Sequence, residues 1–395
     1  MDDLNPSPPT NGAGSLLRLI RNGDAVTRAD LMRRTGLSRS TVTLRLEALL
    51  AHEFVYEAGD GVSNGGRPPT VLAFNREAGV VLAADLGATH SRLAVCDLSG
   101  LELAERSFEL DVASGAEQVL GYVAECFAEL LREASRSVQD VRGIGIGVPG
   151  PVAFSRGEAV APPIMPGWDG FSIPRWFARI YEAPVLVDND VNIMALAEHV
   201  THWQDVDHLL YIKVGTGIGA GIIADRRVHR GTHGAAGDIG HVRVAGHDHV
   251  VCRCGNLGCL EAIAGGRALA EKLSAAGLPS RTSRDVVRHA RAGERYATQA
   301  VREAGRYLGE VLADAVNFFN PGAIVIGGDI AEAHEQLLAG VREVIFQRSL
   351  PLATGELVIA PSRLRDRAGV VGAAIMITEH ILDPATIDRA LQANS

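Results

Sequence analysis

The stretch VVLAADLGATHSRLAVCDLSG, Val80 to Gly100, decides the fold. It reads as a buried apolar strand, a tight loop at Asp85–Thr89, and a second strand closing on a Ser99–Gly100 turn. HLLYIKVGTGIGAGIIADRRVHRG, His208 to Gly231, repeats the logic of strand, glycine turn and strand. Two such beginnings predict an α/β protein with two related lobes facing a cleft. Between them, Val119, Val123, Phe127, Leu130 and Leu131 fall at helical spacing, and VRGIGIGVPGPV (Val141–Val152) is a strand running into a Gly-Pro loop. Glycine turns after strands let backbone N–H groups approach phosphates, although GTGIGAG alone is more often a structural turn. DLGAT, GTGIG and the later IVIGGDI (Ile324–Ile330) together are more specific. Asp85 then either organises a metal-bound nucleotide or caps its own loop.

The chain has 395 residues, is 47% hydrophobic and carries a net charge of −9. No apolar run approaches a membrane span, and MDDLNPSPPTNGAG at the N-terminus is neither a secretory signal nor a transit peptide. A soluble cytoplasmic protein with no membrane partner is expected. The acidic total hides a basic patch: five arginines (Arg28, Arg33, Arg34, Arg39, Arg45) against one acid, Asp30, between Thr27 and Arg45. Lysine occurs only at Lys213 and Lys272.

After a flexible tail over residues 1–14, Leu16, Leu19 and Ile20 share a helix face, with Gly23 as a stop. Thr27 and Asp30 form a capping box opening a second helix, Gly36 supplies a tight turn, and Ser38 caps a third helix. Val42, Leu46 and Leu49 face its core, leaving Arg39, Ser40, Thr43 and Arg45 outside. VYEAGDGVSNGGRPPTVLAFN (Val55–Asn75) reads as strand, glycine loop and strand, with Arg67 on the loop. Helix-turn-helix plus wing predicts DNA binding over residues 15–75, through Arg28, Ser38, Arg39, Ser40, Thr43, Arg45 and Arg67.

Three of the five cysteines fall in GHVRVAGHDHVVCRCGNLGCLE, Gly240 to Glu261. Thiols two and five residues apart with an imidazole nearby fit a tetrahedral Cys₃His zinc site, and a reducing cytoplasm disfavours a disulfide. Cys252, Cys254 and Cys259 are the thiol ligands; spacing leaves His241, His247 and His249 open as the fourth.

DLGATHSRLAV, GIGVPGPV, PGWDGFSI, VDNDVN, GTGIGAG, GTHGAAGDIGH, CRCGNLGCLE, NPGAIVIGG and GVVGAA, in this order, resemble the ROK family from Gly79 to about residue 380. That family combines sugar kinases and sugar-responsive repressors on a two-lobed actin-like (ribonuclease H-like) fold, and a preceding winged helix is the repressor arrangement. The resemblance implies a smaller lobe over 79–190, joined by a C-terminal helix at about 370–385, and a larger lobe over 191–369 carrying the zinc loop. It selects His241 as the fourth ligand of one structural zinc per chain and leaves His247 and His249 facing solvent. It implies sugar contacts from Gly150, Asn189, Asp190, Asp238, His241 and Glu261, with Asp190 the proton acceptor in a kinase. A kinase would hold Mg-ATP with Asp85, Gly87, Thr89, Gly215, Thr216, Gly217, Gly327 and Gly328.

Two residues depart from the family pattern. Ala88 replaces the second glycine of DxGGT, which crowds a nucleotide phosphate and disfavours positive φ. Asp238 replaces the usual Glu and is one methylene shorter. The expected function is a DNA-binding repressor, a homodimer or homotetramer on operator DNA, answering to a sugar or sugar phosphate. An ATP-dependent sugar kinase, or a protein combining both activities, is the alternative.

Overall fold

The structure, a computed structural model, describes residues 12–60, 70–88 and 90–393. Arg67 and Thr89, expected in the DNA and nucleotide sites, lie outside the described residues.

The N-terminal module comprises α1 (Ala13–Arg21), α2 (Arg28–Thr35), α3 (Arg39–Ala51), β1 (Val55–Asp60) and β2 (Thr70–Phe74). The Thr27–Asp30 capping box opens α2, and Gly36 at φ +70° ends it in the left-handed conformation that glycine adopts without strain. Ser38 Oγ accepts from Thr41 N at 3.2 Å and so starts α3. The strands form an antiparallel wing with a register shift between Glu57 and Gly59. Two details differ from expectation. The helix begins at Ala13 with Gly14 buried inside it, so these two residues, expected before the first helix, belong to it. Leu17, rather than Leu19, joins Leu16 and Ile20 in the core, since Leu19 is only partly buried.

The first lobe contains β3 (Val80–Leu86), β4 (His90–Asp97), β5 (Glu102–Glu109), α4 (Ala116–Glu133), β6 (Val141–Val148), a small hairpin β7 (Val152–Ala153) and β8 (Glu158–Ala159), α5 (Ile173–Phe177), β9 (Val185–Asn189) and α6 (Asp190–His202). The second contains β10 (Leu209–Val214), β11 (Ile218–Ala224), β12 (Arg227–Val228), α7 (Leu260–Ala264), α8 (Gly266–Ala275), α9 (Ser283–Arg291), α10 (Arg295–Phe319), β13 (Ala323–Gly327), α11 (His334–Arg348), α12 (Pro351–Thr354) and β14 (Val358–Pro361). Two helices close the chain, α13 (Ala368–Ile381) and α14 (Pro384–Ala393).

The sheets are topological copies: β5-β4-β3-β6-β9 in one lobe and β12-β11-β10-β13-β14 in the other. In each, the first three strands in sequence pair antiparallel and the last two add in parallel. The continuous apolar runs of β3, β6 and β13 follow from burial on both faces. Helices α6 and α13 cross between the sheets, and small residues set how closely they pack. A Cβ on Gly372 would lie 1.9 Å from the Ile193 carbonyl oxygen, and one on Gly145 would lie 2.1 Å from that of Ala373.

Beyond α13 the chain returns to its beginning. Leu382, Ile387 and Leu391 share one core with Leu16, Leu17, Leu31, Val42, Leu46, Leu49, Val55 and Leu72 of the winged module. The Gly14 amide donates to Asp388 Oδ1 at 2.9 Å, and Arg21 pairs with Glu379. Among the described residues no single helix is long and apolar enough to cross a membrane.

Candidate functional site

The cluster of His241, Cys252, Cys254 and Cys259 has its ligand atoms within 4.8 Å of one another. Cys252 Sγ lies 3.7 Å from His241 Nδ1, and Cys254 Sγ lies 3.7 Å from Cys259 Sγ. The sulfurs are too far apart for a disulfide, and all five cysteines are free. Tetrahedral ligands about 2.0–2.3 Å from one ion stand about 3.3–3.8 Å apart, so the donor set and spacing fit a metal. The knuckle is built by Cys252 N donating to Asn256 O at 2.8 Å and by bridges pairing Val251 with Leu257 and Arg243 with Cys259. Burial pushes the Cys252 and Cys259 thiols up, whereas the Asn256 backbone N–H holds Cys254 down. A bound cation would reverse the first effect by favouring thiolates. His247 is not simply solvent-facing: its ring meets Tyr307 of α10 edge-on at 4.8 Å and anchors the loop. His249 is exposed.

Cys259 occupies the N-cap position of α7, and that helix carries Glu261 toward the cleft. Glu261 Oε2 accepts from Ile218 N at 3.1 Å, while burial pushes its carboxyl up. A Cβ on Gly217 would come within 2.0 Å of that same oxygen, which explains glycine at this point of the turn. His241 turns Nδ1 toward the thiols; its Nε2 lies 3.9 Å from Asp238 Oδ1. That gap is too long for a hydrogen bond.

Across the cleft, Asn189 caps α6, its Oδ1 accepting from Val191 N at 2.9 Å, and its Nδ2 donates to Gly150 O at 2.9 Å. Gly150 sits at φ +100°, where a side chain would be strained. The sequence therefore placed Asn189 correctly at a strand end, but both ends of its amide already hold the loop. Asp190 opens α6 with its side chain 5% exposed and paired to Lys213 Nζ at 2.5 Å. Gly219 packs against Val191 and so joins the start of α6 to β11. The candidate sugar residues thus line two walls that meet at the β10–β11 turn.

Among the candidate nucleotide residues, Asp85 Oδ1 is buried without a hydrogen-bond partner. Burial pushes this carboxyl up to about 7 against the pull of Lys213. Gly87 N donates to His90 O at 3.0 Å and closes its loop. Ala88 is not at positive φ, so its methyl causes no backbone strain and acts only on what approaches the loop. The Gly215 and Thr216 carbonyls accept from Gly266 N and Arg267 N at the start of α8. Gly327 and Gly328 have packing reasons of their own: a Cβ would meet Tyr211 Oη at 1.9 Å or the Val214 backbone at 2.7 Å.

Two residues outside the sequence-derived set belong to the cleft. Lys213 is one; its scarcity was visible, its role was not. Arg230 is the other, donating from Nε to buried Asp188 Oδ2 at 2.8 Å and stacking over Phe154 at 3.9 Å. It latches a second-lobe loop onto the first lobe.

On the DNA-binding module, Arg39 and Ser40 are exposed at the start of α3 and Thr43 is half-buried. Ser38 is held by its cap and by the hydroxyls of Ser40 and Thr41 at 2.9 and 2.8 Å. Arg28 pairs with Glu57 of the wing at 3.2 Å. Arg45 does not stand outside as expected: it is half-buried with Nη1 covered, because its position on α3 turns toward the module. Leu44, 70% exposed on the same helix, is an apolar residue on this otherwise polar and cationic surface.

A model of the ROK family matches residues 81–380. The xylose repressor of Caldicellulosiruptor bescii is 31% identical over 381 residues, covering 93% of this chain and 95% of that protein. The crystal structure of a ROK family transcriptional regulator, a homolog of the Escherichia coli MLC protein, aligns with a TM-score of 0.80 at 29% identity, covering 96% of this chain and 98% of that one. The ROK hexokinase from Thermus thermophilus aligns with a TM-score of 0.62 at 34% identity, over 99% of its own chain and 77% of this one.

Proposed function

The chain belongs to the ROK family, and from that premise we propose that it is a sugar-responsive, DNA-binding transcriptional repressor whose kinase-like cleft holds the sugar. The observation that carries this reading is the winged module itself, tied to the rest of the chain by a core it shares with the C-terminal helix α14. Similarity to the regulator spans 96% of the chain, whereas the hexokinase covers 77%.

Arg39 and Ser40 at the exposed start of α3, with half-buried Thr43 one turn on, reach the major groove of operator DNA, and Arg28 and Arg67 position the module on phosphates. Gly150, Asn189, Asp190, Asp238, His241 and Glu261 surround the sugar. One structural zinc per chain, held by His241, Cys252, Cys254 and Cys259, would cross-link the loop and fix the entry of α7. Closure of the lobes moves α6 against α13, and α13 leads directly into α14 inside the DNA-binding core. A sugar that favours one lobe arrangement thereby biases how two winged modules of a homodimer or homotetramer meet their half-sites.

Zinc-loaded protein is titrated into genomic DNA fragments and the bound fragments are sequenced, with and without each sugar and sugar phosphate of a panel. A recurring two-fold site whose affinity changes with one sugar supports the reading. Absence of any sequence-specific site refutes it. Sugar-dependent ADP release from Mg-ATP, lost in Asp190→Asn, would instead favour the kinase.

A further inference from the structure

Lys213 lies on β10, and its side chain reaches the first residue of α6. The ammonium donates to Asp190 Oδ2 at 2.5 Å, and both side chains are largely covered, 24% and 5% exposed. Asp85, from the first lobe, exerts a field on the same ammonium, as does Asp329 beyond β13. Burial acts against the charged amine, yet these carboxylates hold it above its ordinary value. A protonated lysine therefore stands against Asp190, within the field of Asp85 and Asp329.

That position is where a phosphoryl-transfer enzyme of this shape needs a free base and a divalent cation. A base must offer an unencumbered oxygen to the attacking hydroxyl, and a cation bound to that oxygen lowers its basicity. A divalent ion bridging phosphates needs open oxygen ligands, which an ammonium occupies without providing coordination of its own. We propose that Lys213 is a built-in cation of the cleft: it holds Asp190 as a hydroxyl-gripping carboxylate that takes no proton, excludes a divalent metal from the Asp85–Asp190 corner, and so makes this a site that binds sugar without turning it over. The inference rests on the reading of the cleft as a sugar site. Lys213 is a positioning residue, acting through Asp190.

The test uses full-length, zinc-loaded protein and Mn²⁺ alone as the probe, followed by the electron paramagnetic resonance signal of the free ion. Wild type and Lys213→Arg, which keeps the charge, bind no Mn²⁺ in the low-millimolar range. Lys213→Met, similar in length but uncharged, binds one Mn²⁺ per chain at least about 100-fold more tightly, as expected for removing a unit charge a few ångströms away. Lys213→Gln is read in its place if the methionine variant does not fold. Wild type binding Mn²⁺ as tightly as Lys213→Met, or Lys213→Arg behaving like Lys213→Met, overturns the proposal, as does sugar-dependent ADP release by wild type. Calorimetric titration of wild type with the sugar panel is run in parallel. Failure of every sugar there removes the sugar-site reading, while the Mn²⁺ comparison still decides the role of Lys213.

Discussion

Replacing Ile387 by alanine tests whether the far end of the chain is part of the DNA-binding module. Ile387 is 2% exposed in α14 and belongs to the cluster that includes Leu16, Leu31 and Leu46. Truncating a buried isoleucine costs about 2–5 kcal/mol, the lost transfer energy plus the cavity left behind. A module of this size has a small core, so that loss is a large part of what holds it folded. Even about 2 kcal/mol raises the population of the open module about 30-fold. Hydrogen exchange read by mass spectrometry should show faster exchange in α1, α2 and α3, with β3 and β13 unchanged because their cores are separate. DNA affinity should fall in parallel. Unchanged protection of α1–α3 in a folded variant would refute the shared core, and uniform acceleration across the sheets would refute its independence from the lobes.

Arg39→Ala and Thr43→Ala should each weaken specific DNA binding by about 1–3 kcal/mol and relax preference at one base position, measured by fluorescence anisotropy on operator and scrambled DNA. Arg45→Ala, at a half-buried position, should lower the melting temperature more than it changes base preference. Asp85 has its carboxyl raised to about 7 from 3.8, so the folded state keeps its proton while the unfolded state loses it. Stability from this group is full below about pH 4 and falls as pH rises to about 7; Asp85→Asn should therefore melt higher than wild type at pH 8, with the gap closing by pH 4. Elemental analysis should find one zinc per chain, and its chelation should speed exchange at residues 241–261 before the sheets respond.

Much of the site was legible because its chemistry is local. Cys252, Cys254 and Cys259 sit within eight residues of one another, so spacing alone announces a metal knuckle. Thr27 with Asp30, Gly36 and Ser38 dictate helix ends through hydrogen bonds a few residues long. The choice of His241 over His247 was different. Spacing left it open, and the geometry that brings His241 Nδ1 to Cys252 comes from the turn around Ile239, while Tyr307 holds His247 elsewhere. Arg45 is only half outside because it stands three residues after Val42 and four before Leu49, at the border of the buried face of α3.

By itself the amino-acid sequence determined the winged module, the paired strand–turn–strand beginnings, the zinc-type thiol cluster and the glycine loops. Each is encoded by hydrophobic period, capping chemistry or short-range spacing. Only the tertiary structure decided that Lys213 pairs with Asp190 across 23 positions, that Arg230 latches Asp188 across 42, and that Ile387 completes a core with Leu16. Such contacts depend on the crossing of α6 and α13 and on the return of α14 to α1. They arise from packing among elements distant in sequence, where neither periodicity nor local hydrogen bonding specifies which partner an apolar or charged side chain will meet.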